Sequence, residues 1–342
     1  MPTGLERYIA RRLALAIIVL LAVVTFTFII ARVVPSDPAE LYVGPKATAA
    51  QRERARIELG LDKPLYSQFV SYLAGLLSGN WGISLRAHTS VLGDILTYLP
   101  ATLEIIVLAN IIAVVIGIPL GVYSAVKKGS WLDQAGRLWA IAGVSIPSFW
   151  FALLLQLFFF GRLHILPLEG RLSPGVSLYY PIDPITGFYT IDSLLEGNIV
   201  GFVDTLRHLI LPAIALATYP VGLITRMTRS MMIEVLRETY IRFAKANGIS
   251  ERLIIFRYAL KNAIVPTLTV LGLSFAYSIT GAVLIEIIFG WPGLGTYTLN
   301  AIIEADYPAI LGVTILGAMF YIFINLGLDI LQSYMDPRVR LS

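Results

Sequence analysis

Six apolar segments, each long enough to cross a bilayer as a helix, dominate the sequence. At ~1.5 Å rise per residue, about 20 residues span the ~30 Å hydrocarbon layer of a membrane. Only 14% of the residues are charged, against roughly 25% in soluble domains. The sequence therefore predicts an all-α integral membrane protein with six transmembrane helices. These segments are residues 9–31, 101–126, 138–161, 208–228, 264–289 and 309–332.

The distribution of basic residues predicts how the chain is oriented. With the N-terminus in the cytoplasm, 16 Lys and Arg residues fall on the inner side and 10 on the outer side. Basic residues concentrate in cytoplasmic loops, so both termini are predicted to be cytoplasmic. Eight of the inner basic residues lie between Arg226 and Lys261. The first apolar segment could instead be a cleaved signal peptide, but its length favours a retained helix.

The sequence offers little that points to catalysis or to a bound cofactor. It contains no Cys and only three widely separated His residues, so neither a thiol nucleophile nor a metal site is predicted. The phosphate-binding pattern G-x-x-x-x-G-K-[ST] does not occur. Because the net charge of +4 is explained by the basic inner loops, nucleic-acid binding is not expected either.

The segments between the spans divide the chain into two predicted parts. Residues 1–100 hold the first transmembrane helix and a structured outer segment, with helices expected at Ala49–Leu59 and Leu65–Leu77. Residues 101–342 form the core with the other five spans. This core carries two longer connections, which are an outer insertion at 162–207 and a basic cytoplasmic loop at 229–263.

A short helix is predicted in the cytoplasmic loop, from Glu238 to a stop at Gly248. Glycine is suited to the left-handed conformation just past a helix end. At helical spacing Tyr240, Phe243 and Ala244 are expected to share one face, and Arg242 and Lys245 to lie on other faces. Two interpretations remain open: the helix lies on anionic lipid headgroups, or it docks in a cleft of a cytosolic partner. The candidate contact residues are Tyr240, Phe243, Ala244, Lys245, Ala246 and Gly248.

Four residues in or near the spans are candidates for lining or gating a path. Glu104 and Glu286 lie near outer helix ends, where each could serve a path or pair with a loop group. Asn110 lies deeper and is expected to form an inter-helix hydrogen bond. Trp291 belongs to a predicted turn at Gly290–Gly295, either as an interfacial anchor or as part of an outer gate.

Several motifs together resemble a known family. Ala244-Lys-Ala-Asn-Gly248 and the stretch from Ala259 to Pro266 are similar to the "EAA" loop of ABC-importer permeases, with Arg242 where the strict form has Glu. The chain resembles the dipeptide/oligopeptide class of these permeases over essentially its whole length. The further matching motifs, in chain order, are Arg32–Pro38, Leu59–Pro64, Gly79–Ser84, Leu99–Glu104, Gly117–Gly121, Arg171–Pro174, Thr186–Tyr189, Arg207–Pro212, Glu286, Gly290–Gly295, Asp306–Pro308 and Asp336–Arg338.

The resemblance implies one half of an ATP-driven importer in the cell membrane. Such a permease pairs with a homologous second permease, receives solute from an external binding protein, and is driven by two cytosolic ATPases that bind ATP and Mg²⁺. Residues 238–249 would be the coupling helix, and this chain would hydrolyse nothing. Within the family the cargo could be peptides, oligosaccharides, nickel chelates or glutathione. The alternative from another class is a stand-alone secondary transporter or channel, which is expected to carry charged residues deep in several spans.

Overall fold

The computed structural model describes residues 4–33, 38–44 and 46–335, and all its helices and turns refer to these ranges. Motif residues 34–37 and 336–338 lie outside the described residues. Apart from one isolated β-bridge, every regular element in the described ranges is helical, as predicted. The elements are α1 (Gly4–Val33), α2 (Pro38–Val43), α3 (Ala49–Glu58), α4 (Leu65–Leu77), α5 (Val91–Val126), α6 (Trp131–Ser145), α7 (Ser148–Leu155), π1 (Gln156–Arg162), α8 (Pro174–Tyr179), α9 (Tyr189–Leu195), α10 (Ile199–Val235), α11 (Thr239–Ala246), α12 (Glu251–Leu253), π2 (Ile254–Ala259), α13 (Leu260–Ile288), α14 (Leu294–Ile303) and α15 (Tyr307–Met335).

Five helices of the described ranges are long and apolar enough to cross a membrane, and the number is six if one bent pair is counted as a single span. The prediction of one continuous helix at 138–161 is wrong. Its place is taken by α6 and by α7 with π1, which meet at an angle of 105°. The break has a local cause, because a residue that precedes proline is disfavoured in helical conformation. Ile146, before Pro147, has an extended ψ of 123°.

Helices α5 and α10 form the centre of the fold and pack side by side in the same direction. They have 36 and 37 residues and extend beyond the predicted apolar stretches 101–126 and 208–228. A Cβ on Gly117 would lie 2.9 Å from Cγ2 of Ile224, and a Cβ on Gly121 would lie 2.6 Å from Cβ of Thr228. From the first contact to the second, the residue number increases by four in both helices, so the two helices are parallel. Small residues allow this close approach, as predicted from the glycine spacing.

Helices α6 and α13 pack against this central pair. Helix α6 runs antiparallel to α10, with Gly143 against the carbonyl of Thr218. Helix α13 is also antiparallel to α10, since Leu216 faces Gly281 and Thr228 faces Thr267. Helices α1 and α15 pack together at the edge of the fold.

We expect Gly121→Val to prevent close packing of α5 on α10. Added atoms would meet Thr228 and the backbone oxygen of Thr225, which lies 2.8 Å from an added Cβ, and overpacking of this kind costs about 1–3 kcal/mol or more. The matched control is Gly317→Val in α15, where nothing lies within 4 Å of an added Cβ. Thermal unfolding in detergent should separate the two variants, and equal midpoints would contradict the packing role of Gly121.

Candidate functional site

Helix α11 is a separate short helix between α10 and α12, at the position predicted for the coupling helix. Its end agrees with the sequence prediction, because Gly248 has φ of +73°. In this turn the amide of Gly248 donates to the carbonyl of Lys245 (3.0 Å), and the amide of Ile249 donates to that of Ala244 (3.2 Å). The chain is thereby turned sharply toward α12, and α11 projects as a distinct element.

The two faces of α11 have different surroundings. Phe243 is 71% exposed and Tyr240 is 40% exposed, whereas Ile241 and Ala244 are buried at 0% and 4%. The prediction that Ala244 shares a partner-facing surface with Tyr240 and Phe243 is therefore wrong. Ala244 and Ile241 lie three residues apart and form an internal face, which the sequence pattern did not reveal. The other candidates, Lys245, Ala246 and Gly248, are exposed as a partner surface requires.

The internal face of α11 packs on the neighbouring ends of several long helices. It shares a buried cluster with Val122 of α5, Met232 of α10 and Ile254 of π2. The hydroxyl of Tyr240 also accepts a hydrogen bond from Asn262 Nδ2 at 2.8 Å, which joins α11 to α13. A displacement of α11 would therefore act on three spanning segments at once.

A partly buried ion pair reinforces the same end of α10, and the sequence did not predict it. Arg229 Nε donates to Asp133 Oδ1 at 2.7 Å, and its Nη2 donates to Oδ2 at 3.0 Å. The amide of Gly129 donates to the same carboxylate at 2.9 Å. Asp133 is the acidic residue in the first turn of α6, so the pair fixes the start of α6 to α10. Ser130 and Asp133 are recognisable in the sequence as the start of a helix. The sequence does not show that Asp133 pairs with Arg229, because Arg229 is 96 residues away.

We expect substitutions of Gly248 to be ranked by backbone strain and not by size. An added Cβ would meet nothing within 4 Å in this chain, whereas a β-branched residue in left-handed conformation costs roughly 1–2 kcal/mol. Gly248→Asn should therefore retain most of the transport activity, because Asn tolerates this conformation, and Gly248→Val should reduce it. Transport assays at equal protein amounts test this expectation. Equal damage by both variants would contradict it.

A second candidate site is a buried polar cluster at the predicted outer ends of α5 and α13. Glu286 is fully buried and accepts hydrogen bonds from the Thr102 hydroxyl (2.6 Å) and from the amides of Gly295 (2.7 Å) and Thr296 (3.2 Å). The Thr102 oxygen in turn accepts from the amide of Leu294 at 2.7 Å. Free amides at a helix start favour an anionic acceptor. Glu286 therefore caps α14 from a different helix.

Trp291 lies in the turn before α14 and is completely buried. Its Nε1 donates to the backbone oxygen of Ala101 at 2.9 Å. The interpretation of Trp291 as an exposed interfacial anchor is therefore wrong in this chain. The reason is that the turn folds back onto α5, which the sequence of the turn alone does not reveal.

Glu104 connects α5 to the segment 162–207, the predicted outer insertion. It accepts from Arg171 Nη2 at 2.6 Å and from the amide and hydroxyl of Thr190 at 2.8 Å each. The guanidinium carbon of Arg171 lies 3.6 Å from the ring centroid of Tyr189 and 5.6 Å from that of Trp291. The pairing of Glu104 with a loop group, one of the two interpretations from sequence, is thus present.

Asn110 lies in the middle of α5 and differs from its prediction. Its Nδ2 donates to the carbonyl of Ile106 in its own helix at 2.8 Å, and its Oδ1 has no partner among the described residues. Glu104, Asn110, Glu286 and Trp291 are all buried within this chain. Their service in a path or gate stays a prediction. In this conformation Glu104, Glu286 and Trp291 join separate elements, whereas Asn110 bonds within its own helix.

Comparison with known proteins assigns the chain to a family. Residues 117–341 match the family model "Binding-protein-dependent transport system inner membrane component", and residues 5–106 match the model of its N-terminal part. The relatives include the "Probable D,D-dipeptide transport system permease protein DdpB" of Escherichia coli (strain K12), 43% identical over 94% of both chains.

Two other relatives match at similar length. The "Di/tripeptide transport system permease protein DppB" of Pseudomonas aeruginosa (strain UCBPP-PA14) is 43% identical over 97% of this chain and 98% of its own. The "Oligopeptide transport system permease protein AppB" of Bacillus subtilis (strain 168) is 36% identical over 97% of this chain and 99% of its own. With its all-helical membrane fold and two family models that together cover most of its length, the chain belongs to the inner-membrane components of binding-protein-dependent transport systems.

Proposed function

We propose that this chain is the permease subunit of an ATP-driven ABC importer for dipeptides and other short peptides. The observation that carries the proposal is the full-length similarity to relatives whose names specify dipeptides, di/tripeptides and oligopeptides. A match to one motif could not support the proposal, because residues along the whole translocation path determine which cargo is carried. The chain itself is proposed to catalyse no reaction and to bind no cofactor.

The assembly we propose contains three further kinds of component. A homologous second permease completes the path, two cytosolic ATPases bind ATP and Mg²⁺, and an external binding protein delivers the peptide. A second permease is supported by the large apolar side chains that the single chain leaves exposed, which include Leu157 and Phe158 of π1. Lipid covers the remaining apolar surface.

We also propose that both termini face the cytoplasm and that α11 contacts an ATPase. The orientation is supported by the excess of basic residues around residues 226–261. A helix that lies on lipid needs a free apolar face, but Ile241 and Ala244 use that face inside the protein. The remaining exposed side, with Tyr240, Phe243 and Lys245, suits a protein cleft better than a lipid surface.

The proposed mechanism is alternating access driven through α11. ATP binding closes the two ATPases and moves α11, and the move is passed to α5, α10 and π2 through the cluster around Ile241. The peptide enters from the binding protein when the path opens outward, and ATP hydrolysis restores the inward-open state. In this scheme residues 1–100 supply the first transmembrane helix and a structured outer segment. Residues 101–342 are the permease core, with 162–207 as its outer insertion and 229–263 as its coupling loop.

Uptake by the reconstituted complex tests this function. The chain is co-expressed with the proposed second permease, ATPases and binding protein of its source organism, and the complex is placed in liposomes. We expect ATP-dependent accumulation of a radiolabelled dipeptide that excess unlabelled dipeptide inhibits. Accumulation of an oligosaccharide, a nickel chelate or glutathione in place of the dipeptide would refute the cargo. Uptake by this chain alone along an ion gradient would refute the importer.

A further inference from the structure

Two exposed tyrosines lie at the same depth on neighbouring spanning helices. Tyr219 of α10 is 39% exposed and Tyr277 of α13 is 61% exposed. The two helices are antiparallel, with Leu216 against Gly281 and Thr228 against Thr267. Reading along both helices from these contacts places Tyr219 opposite Tyr277. Both residues fall close to the middle of the apolar stretches 208–228 and 264–289.

Both tyrosines point away from α5 and hence to the same side of the α10–α13 pair. Tyr219 is nine residues from Thr228, which lies against Gly121 of α5. Tyr277 is nine residues from Glu286, which binds Thr102 of α5. Nine residues at 100° each place a side chain about 180° around the helix. The tyrosines therefore flank one surface, which we call the tyrosine face.

The tyrosine face is more polar than a lipid-facing surface. Neither phenol hydroxyl has a hydrogen-bond partner among the described residues. Thr280 is also exposed one turn beyond Tyr277, and the exposed Arg226 lies on the Tyr219 side, roughly 10 Å further along α10. Tyrosines of membrane proteins concentrate at the two interfaces, and unpaired polar groups in hydrocarbon cost several kcal/mol each.

An exposed face of α5 provides an apolar surface with which the tyrosine face can be compared. On α5 the exposed residues Val107, Ile111 and Val115 follow each other at spacings of four and carry no polar group. Ile111 lies within about one turn of the depth of Tyr219, because Gly117 of α5 is level with Ile224 of α10. The contrast at equal depth indicates that water or a polar solute, and not lipid, meets the tyrosine face.

We propose that the tyrosine face lines the translocation path and that Tyr219 and Tyr277 contact the peptide in transit. This inference rests on the proposed function. A phenol ring offers apolar area to a peptide side chain, and its hydroxyl exchanges hydrogen bonds with the peptide backbone. Two such groups at one depth form a contact point that tolerates many sequences, as a carrier of varied short peptides requires.

The experiment uses the absence of Cys from this chain. Tyr219→Cys and Tyr277→Cys each introduce one thiol into the chain, and Ile111→Cys provides the depth-matched control. The complete complex in liposomes is treated with a charged, membrane-impermeant methanethiosulfonate, and the mass shift of this subunit is followed. Since the thiolate is the reactive form and apolar surroundings suppress it, we expect positions 219 and 277 to react at least about tenfold faster than position 111. Excess dipeptide should slow this reaction.

Further measurements keep the proposal falsifiable. Thr280→Cys changes the tyrosine face with little change in volume, so it should react fast even if a tyrosine replacement assembles poorly. Modification at 219 or 277 should block uptake. Rates at 219, 277 and 280 as slow as at 111 would overturn the proposal and place lipid or the second permease on this face. If the complex transports only another solute, the peptide assignment fails, while the rates still decide whether the face is water-lined.

Discussion

Replacing Phe243 by aspartate is expected to reduce ATP-driven uptake by at least about 30-fold, because a central contact residue contributes 2 kcal/mol or more to an interface. The ring is 71% exposed in the isolated chain, so the substitution leaves no cavity and removes little internal contact. The amount of folded subunit should therefore stay near that of the wild type. Uptake and ATP hydrolysis in the same liposomes measure the effect, and the ratio of uptake to hydrolysis should fall.

Two further variants at this helix separate coupling from folding. Phe243→Leu keeps an apolar side chain and should retain a substantial part of the uptake. Ala244→Asp places a charge in the buried cluster behind α11, so it should reduce the amount of folded subunit and not merely its activity. The coupling role of Phe243 is refuted if Phe243→Asp transports as well as the wild type. The assignment of faces is refuted if Ala244→Asp assembles normally.

Arg171→Met is expected to destabilise the subunit by roughly 3–5 kcal/mol, because it leaves the buried Glu104 without its counter-charge. The pair is short, at 2.6 Å, and both side chains are less than one-tenth exposed. The substitution also removes the hydrogen bond from Arg171 to the carbonyl of Gly187 (2.9 Å). The thermal unfolding midpoint in detergent, taken at one fixed scan rate, should fall clearly below that of the wild type.

The double variant Glu104→Gln/Arg171→Met provides the decisive control. Removing both charges of a buried pair is often neutral, since no uncompensated charge remains. Gln at position 104 can still accept from Thr190, which now bonds to the carboxylate of Glu104 at 2.8 Å. We expect the double variant to regain at least half of the lost stability. A double variant as unstable as Arg171→Met would show that the loss comes from packing of the guanidinium on Tyr189 and not from the stranded charge.

The length and apolarity of the segments were enough to predict an all-helical membrane fold. Those two properties decide whether a helix can satisfy its backbone in lipid. They do not determine where a helix bends. The segment at 138–161 passes every test of apolarity, yet Ile146 before Pro147 breaks it, and the polar ends of α5 and α10 extend past their apolar centres.

Those features of the candidate site that depend on a few neighbouring residues were predictable from the sequence. The end of α11 at Gly248 depends on one residue and agreed with the sequence. The face of α11 that packs inside depends on α5, α10 and π2, so Ala244 was assigned to the wrong side. The shared depth of Tyr219 and Tyr277 was not predictable for a similar reason. It depends on the register between α10 and α13, which neither helix sequence determines alone.

The cap of α14 by Glu286 has a consequence for the biogenesis of this subunit. Thr102 and Glu286 are 184 residues apart in sequence, and Trp291 reaches Ala101 across 190 residues. Helix α5 is therefore synthesised long before the partners of Ala101 and Thr102. The bonds that join α5 to Glu286 and Trp291 can form only near the end of translation, after α13 and the turn that follows it have been made.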